Sequence, residues 1–226
     1  MQIPLNNKIN LKINRHYKKF YNFIYKDIKN LKNPNILEFG VSGAGLSTSI
    51  LLDLCEEKKG KLYSVDINDY SKKFNSKNWK FIHSRDDNYT LIKSLLPNKL
   101  DFIYLYTVHK AEHVQNILFA YFPLLKVDGF FVIDDTSWLP YTENREKNHF
   151  FMEVNNYETF NKLLEIYNKN LENINIEFSF LGTGAAKILK LKNSNLMKPK
   201  KLYSRFYSLK NFFRKFYIFL SKVLTI

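Results

Sequence analysis

The chain has 226 residues, 45% of them hydrophobic and 16% aromatic, which is enough for one core of ordinary domain size and short for two. Its net charge of +14 is uneven: residues 1–32 hold eight Lys/Arg against Asp27, residues 33–186 hold sixteen against twenty Asp/Glu, and residues 187–226 hold eleven against none. A uniformly basic, nucleic-acid-coating domain is thereby excluded, and the single cysteine, Cys55, excludes an internal disulfide or a thiolate zinc site.

The opening MQIPLNNKINLKIN lacks the apolar core of a signal peptide, and no stretch reaches the roughly 18 apolar residues of a spanning helix, so a cytoplasmic protein is expected. Residues 1–33 are expected to form an N-terminal helical segment in which Ile13, Tyr17, Phe20, Ile24, Ile28 and Leu31 share one face, with lysines between them. That face is expected to pack on a sheet edge or over the site. Asn35 to Phe39 then reads as a short buried strand, followed by the turn of Gly40, Gly43 and Gly45 and a helix from Leu46 to Cys55. The unit recurs. Strand Lys61 to Val65 ends in Asp66. Strand Trp79 to His83 ends near Arg85-Asp86-Asp87 and precedes a helix over Asn88 to Leu96. Strand Leu100 to Leu105, helix Lys110 to Leu125, the turn Val127-Asp128-Gly129 and strand Phe130 to Ile133 follow, the last ending in Asp134-Asp135. Strands alternating with helices in this way predict a parallel α/β sheet. Beyond it lie a polar loop from Thr136 to Asn155, a helix from about Tyr157 to Leu171, and strands Ile174 to Phe180 and Ala185 to Leu191 about the turn Gly182-Thr183-Gly184, an antiparallel hairpin.

Open α/β sheets bind ligands at the carboxyl ends of their strands. Four of the five predicted strand ends carry a carboxylate: Glu38, Asp66, Asp86-Asp87 and Asp134-Asp135; the fifth carries Tyr106 to His109. A sheet serving only as scaffold has no reason to collect acids there. A nicotinamide dinucleotide fold also joins a glycine turn to an acid at the second strand end, but Gly40-x-x-Gly43-x-Gly45 is not the G-x-G-x-x-G order. The letters H-x-x-E-H at His109 to His113 fit a zinc-protease pattern, which needs a helical scaffold and a third ligand downstream; here they follow a strand.

The segments ILEFGVSGAGLSTSILL and LYSVDIND, followed by LDFIYLYTVHKAEHVQNIL and LLKVDGFFVIDDTSW, resemble class I S-adenosylmethionine-dependent methyltransferases. Within that class they are most similar to the small O-methyltransferase group of catechol and caffeoyl-type enzymes and bacterial relatives acting on sugars and natural products. The resemblance covers residues 34–192. It implies a Rossmann-like, seven-stranded, mostly parallel sheet ending in the antiparallel hairpin, and S-adenosylmethionine as cofactor. Carried onto this sequence, it places the methionine part against Gly40, Gly43, Gly45 and Ser47, with Glu38 fixing the turn or meeting the amino group. It assigns both ribose hydroxyls to Asp66 and puts Asp86, or its neighbours Arg85 and Asp87, by the adenine. The acceptor would be a small-molecule, sugar or glycan hydroxyl.

Methyl transfer from a sulfonium is an in-line displacement, so positioning supplies much of the acceleration and a base is needed only for a poorly acidic hydroxyl. His109, where resembling enzymes place a His or Lys near the acceptor, is the expected base, because imidazole is the side chain that ordinarily titrates closest to neutral pH. Catechol-type relatives also hold a divalent metal with an Asp after the fourth strand and an acidic pair after the fifth. Asp134 and Asp135 match that pair. Tyr106 and Val108, however, stand where acids are usual, and a phenol is a poor ligand for Mg²⁺. Asp134 would otherwise orient His109 or hold the acceptor. The missing acids also leave open a cofactor-binding fold that has lost catalysis and serves as an interaction protein.

Residues 193–226 are expected to form a basic amphipathic C-terminal helix. Leu202, Phe206, Leu209, Phe213, Phe216, Leu220 and Val223 recur at spacings of 4 and 3, with Lys210, Arg214 and Lys222 away from that stripe. Residues 198–226 therefore suit an anionic membrane surface, such as the inner face of a cell membrane. A homodimer seam, packing on the body and single-stranded nucleic acid are the other partners considered.

Overall fold

A computed structural model describes residues 21–43, 45–136, 150–180, 183–203 and 209–224. Its strands are β1 (Asn35–Phe39), β2 (Lys61–Asp66), β3 (Trp79–His83), β4 (Leu100–Leu105), β5 (Leu125–Asp134), β6 (Ile174–Ser179) and β7 (Ala185–Lys190). They form one seven-stranded sheet in the order β3-β2-β1-β4-β5-β7-β6, in which β7 alone runs against the rest. This is the Rossmann-like sheet with a terminal hairpin that the sequence predicts. The strand order reverses between β1 and β4, where Ile36 to Phe39 face Phe102 to Leu105 in register. Such a switch point opens a crevice beyond the carboxyl ends of the two strands.

The helices are α1 (Lys26–Ile28), entered through a π-helical turn at Tyr21–Tyr25, then α2 (Leu46–Glu57), α3 (Tyr89–Leu95), α4 (Ala111–Tyr121), α5 (Phe150–Lys169) and α6 (Leu209–Leu224). Two apolar clusters cover the sheet. Phe23, Ile24 and Ile28 join Leu51, Leu54 and Cys55 of α2 on one face; Ile92, Val114, Ile117, Leu118, Tyr121, Leu163 and Ile166 from α3, α4 and α5 close the other. The expected N-terminal face is thus buried at Ile24 and Ile28, while Ile13, Tyr17 and Phe20 lie outside the described residues. Lys187 on β7, itself buried, ties that segment down through Asp27 at 2.5 Å and the Phe23 carbonyl at 3.3 Å, and also pairs with Glu177 of β6 at 2.7 Å.

Several boundaries differ from the sequence expectation, the largest at the C-terminus, where residues 193–203 of the expected 193–226 helix are not helical and α6 covers Leu209–Leu224. The helix after β4 stops at Tyr121 and gives way to a 3₁₀ turn at Phe122–Leu124, because Pro123 cannot donate a helical N–H. β5 begins at Leu125 rather than Phe130: Val127-Asp128-Gly129 is an irregularity inside the strand, with Asp128 at φ +64° and a register shift opposite Leu100 to Phe102. α5 starts at Phe150, seven residues before the expected Tyr157. Most of the loop over 136–155, and Gly182 of the hairpin turn, lie outside the described residues.

Candidate functional site

The crevice contains a cavity of about 420 Å³ bounded by the ends of four strands. Gly40 and Ser42 come from the turn after β1, Asp66 and Ile67 from the end of β2, Ser84 to Asp86 from the turn after β3, and Tyr106 to Val108 with Lys110 and His113 from the segment after β4. Its volume lies within the ~300–1,000 Å³ of small-molecule sites.

The turn after β1 is shaped by steric exclusion. Gly40 has φ +92°, and a Cβ there would sit 1.8 Å from the Tyr106 carbonyl oxygen, so only glycine lets β1 and β4 end side by side. Gly45 caps α2 at φ +61° beneath Lys73 and Phe74. Gly43 has open space around its Cα. The Lys73 ammonium donates to the carbonyls of Ser42, at 3.2 Å, and Gly43, clamping the turn from the loop after β2. Sequence alone did not single out Lys73, since a lysine in a polar loop carries no periodic signal.

Asp66 binds the same turn. Its Oδ2 accepts the N–H groups of Val41 at 2.8 Å and Ser42 at 3.3 Å, and its Oδ1 accepts that of Asn68 at 2.9 Å. A carboxylate has about four lone-pair sites, so three backbone donors fix Asp66 and leave capacity toward the cavity it lines.

Glu38 does not line the cavity. It is fully buried beneath the turn, accepting hydrogen bonds from Ser47 Oγ at 2.6 Å and Ser64 Oγ at 2.9 Å, and the Trp79 indole N–H in turn donates to Ser64 Oγ. Of the two roles expected for Glu38, this geometry gives it the first, fixing the start of α2; Ser47 is its partner rather than a cavity residue. Burial pushes the Glu38 carboxyl up to about 7, although the serine hydroxyls partly oppose the shift. A carboxyl raised in the folded state binds its proton there before the unfolded chain does, so its contribution to stability falls as pH rises from about 4.5 to about 7. Glu38→Gln, which stays neutral, should therefore gain stability relative to the wild type across that window, by on the order of 3 kcal/mol in denaturant titrations. A difference that does not change between pH 4 and pH 8 would contradict the assignment.

After β3 the acids are engaged with one another's neighbours. Asp86 Oδ2 accepts Thr107 Oγ1 at 2.6 Å and pairs with His113 Nε2 at 2.8 Å, and its carbonyl accepts the Tyr121 hydroxyl. Burial alone would raise the Asp86 carboxyl; the bonds from His113 and Thr107 more than reverse this and hold it below its ordinary value. Arg85 grips Asp87 in a two-pronged pair at 2.9 and 2.7 Å on the exposed rim. Asp86, Asp87 and His113 come close enough together to share a cation, but these pairings already satisfy them. His113 was visible in sequence only as the last letter of H-x-x-E-H. The structure sends its partner His109 to a different carboxylate, so the two histidines do not converge and the protease pattern falls away.

At the far side of Tyr106, His109 Nε2 lies 3.3 Å from Asp135 Oδ2, and the Tyr106 and His109 rings pack with centroids 5.5 Å apart. Asp135 is almost completely buried, stands at φ +56°, and donates its N–H to the Gly184 carbonyl and to Asp134 Oδ1. Asp134 Oδ2 accepts the Tyr104 hydroxyl at 2.8 Å. The sequence expectation that Asp134 orients His109 is thus corrected: Asp135 reaches the imidazole, because the left-handed residue turns the chain at the strand end, while Asp134 anchors Asp135 from below.

A divalent metal on the Asp134–Asp135 pair does not fit this donor set. One carboxylate is bound to a tyrosine hydroxyl and a backbone N–H, the other faces an imidazole, and the position facing them is Tyr106. Burial and the two aspartates raise the Tyr106 phenol further above its ordinary value, so it stays protonated.

Residues 37–136 match the family model of a methyltransferase domain. Among solved structures, the MycE methyltransferase of the mycinamycin biosynthetic pathway, in complex with Mg and SAH, is 18% identical with TM-score 0.62; the match covers 84% of this chain and 56% of that one. The SAH-bound Podospora anserina methyltransferase PaMTH1 is 14% identical with TM-score 0.61, covering 84% of this chain and 89% of that one. A Staphylococcus aureus protein provisionally assigned as a caffeoyl-CoA O-methyltransferase is 14% identical with TM-score 0.56, covering 83% of this chain and all of that one. The chain thus spans little more than half of MycE. No curated protein matches it by sequence.

Proposed function

From a methyltransferase domain over residues 37–136 as the premise, we propose that the chain is an S-adenosylmethionine-dependent O-methyltransferase acting on a hydroxyl of a sugar, glycan or small molecule. The observation that carries the proposal is the cavity at the β1/β4 switch point, with Asp66 fixed on its wall and the His109–Asp135 pair just outside it, behind the Tyr106 ring.

The cofactor would supply a methyl group on a sulfonium, a good leaving group in an in-line displacement. Gly40 keeps the turn open, Asp66 accepts ribose hydroxyls with its remaining lone pairs, and Ser84 to Asp86 with Thr107 form the adenine end. His113 joins them there through Asp86. Glu38 and Ser47 act beneath the turn, and Gly45 at its end, by holding the start of α2. Tyr106 separates the cofactor cavity from His109, and its ring seats the acceptor between the two. A hydroxyl acceptor held there would give its proton to His109, whose imidazolium the buried Asp135 carboxylate would stabilise. Asp134 is a positioning residue that fixes Asp135 through its backbone N–H.

The structural neighbours' descriptions support the reading: MycE and PaMTH1 are methyltransferases solved with SAH, and one MycE structure also holds Mycinamycin VI. Methyl transfer to a panel of sugar and phenolic acceptors, followed with and without a chelator, tests it. Turnover should persist after chelation and fall in Asp134→Asn. Loss of turnover on chelation would instead make the aspartate pair a metal site, and absence of turnover on every acceptor would favour the catalytically silent alternative.

A further inference from the structure

Among the described residues, α6 (Leu209–Leu224) is the helix that carries the densest run of large apolar side chains left uncovered by the protein body. Phe212, Phe213, Phe216 and Phe219 are 55–66% exposed, and Leu209 and Tyr217 more so. At about 100° per residue, Leu209, Phe212, Phe213, Phe216, Phe219 and Val223 fall within an arc of about 120°, while Lys210, Arg214 and Lys215 lie outside it. The helix contains no acidic residue, and neither does any position from 187 to 226. A 16-residue helix is marginal in water unless its apolar face is covered. Packing on the body does not cover it.

We propose that α6 lies in the surface of an anionic lipid bilayer. Aromatic and cationic residues occupy opposite sides, which is the arrangement a planar interface selects: an apolar face can sink about 5–10 Å to the acyl boundary while the cations stay among anionic headgroups. Tyr217, bordering the apolar arc, places a ring with a polar tip at headgroup depth. A single-stranded nucleic acid would need rings and cations on the same side, so that bases stack where phosphates are held. A second copy of α6 would bring cation against cation with no acid to pair them, and its arc is phenylalanine-rich where coiled-coil seams use interlocking Leu, Ile and Val. No described helix is long and apolar enough to cross a membrane, so the contact is with the surface. The inference rests on α6 alone and stands or falls separately from methyl transfer.

Flotation of the full chain with vesicles tests it. The protein should float with phosphatidylcholine vesicles containing about 30% phosphatidylglycerol and stay down with phosphatidylcholine alone, and about 0.5 M salt should weaken binding at least severalfold. Joint Phe213→Ser and Phe216→Ser substitution should lower partitioning more than tenfold, and Lys210→Gln, Arg214→Gln and Lys215→Gln should each lower it about fivefold. Thermal melts matching the wild type show that the body of each variant is folded. Equal flotation of variants and wild type, or no flotation at all, overturns the proposal. So does a dimer in light scattering that the phenylalanine substitutions dissociate, or oligoribonucleotide binding that they abolish while vesicles remain unbound.

Discussion

Replacing His109 by Gln should lower the rate of methyl transfer by about 10²–10⁴-fold, the usual contribution of a positioned base, while leaving affinity for S-adenosylhomocysteine unchanged. His109 lies outside the cavity wall, against Asp135 at 3.3 Å and behind the Tyr106 ring. Its removal therefore subtracts a proton acceptor and nothing from the cofactor site. Asp135→Asn should produce a smaller loss of the same kind, since an amide still accepts from the imidazole but does not stabilise its charge. The measurement is single-turnover transfer of labelled methyl, with calorimetry on the same preparations. A His109→Gln enzyme with undiminished single-turnover rate would show that positioning alone drives the reaction, as it does for already acidic acceptors.

The second large effect is structural. Gly40→Ala should destabilise the protein by on the order of 3–5 kcal/mol, through a left-handed backbone now carrying a side chain and a Cβ driven against the Tyr106 carbonyl. In a domain of this size that is roughly a 10 °C fall in melting temperature. Cofactor binding should be lost with it, because β1 and β4 must part to admit the methyl group. Gly43→Ala is the matched control: a Cβ there meets nothing within 4 Å, so its melting temperature should stay within about 2 °C of the wild type. Equal behaviour of the two variants in thermal melts would contradict the steric account of the turn.

Much of this architecture could be read from residue order. The apolar runs Asn35–Phe39 and Leu100–Leu105, each followed by a turn and a helix, are buried on both sides as parallel strands must be. The acids after them land at one end of one sheet for the same reason. What the sequence did not show are the pairings that depend on side-chain direction across strands. Asp134 and Asp135 are adjacent letters with opposite roles, and only the left-handed turn at Asp135 decides which one meets His109. Glu38 could be read from sequence as fixing the glycine turn or as meeting the cofactor, and only its bonds from Ser47 and Ser64 point to the first. His113 acquires its place from Asp86, 27 residues away in sequence, a contact that no periodicity reports. Boundaries shifted where a backbone constraint outweighed hydrophobic pattern, as at Pro123 and at the irregularity around Asp128.

The central claim is that the cavity at the β1/β4 switch point receives S-adenosylmethionine, with Asp66 holding its ribose. Isothermal titration of the full chain with S-adenosylhomocysteine, beside Asp66→Ala, tests it most directly. One equivalent should bind with a micromolar-range dissociation constant, and Asp66→Ala should weaken it at least tenfold, about 1.4 kcal/mol. No heat of binding to the wild type at concentrations up to about a millimolar, which corresponds to only about 4 kcal/mol, would contradict the account.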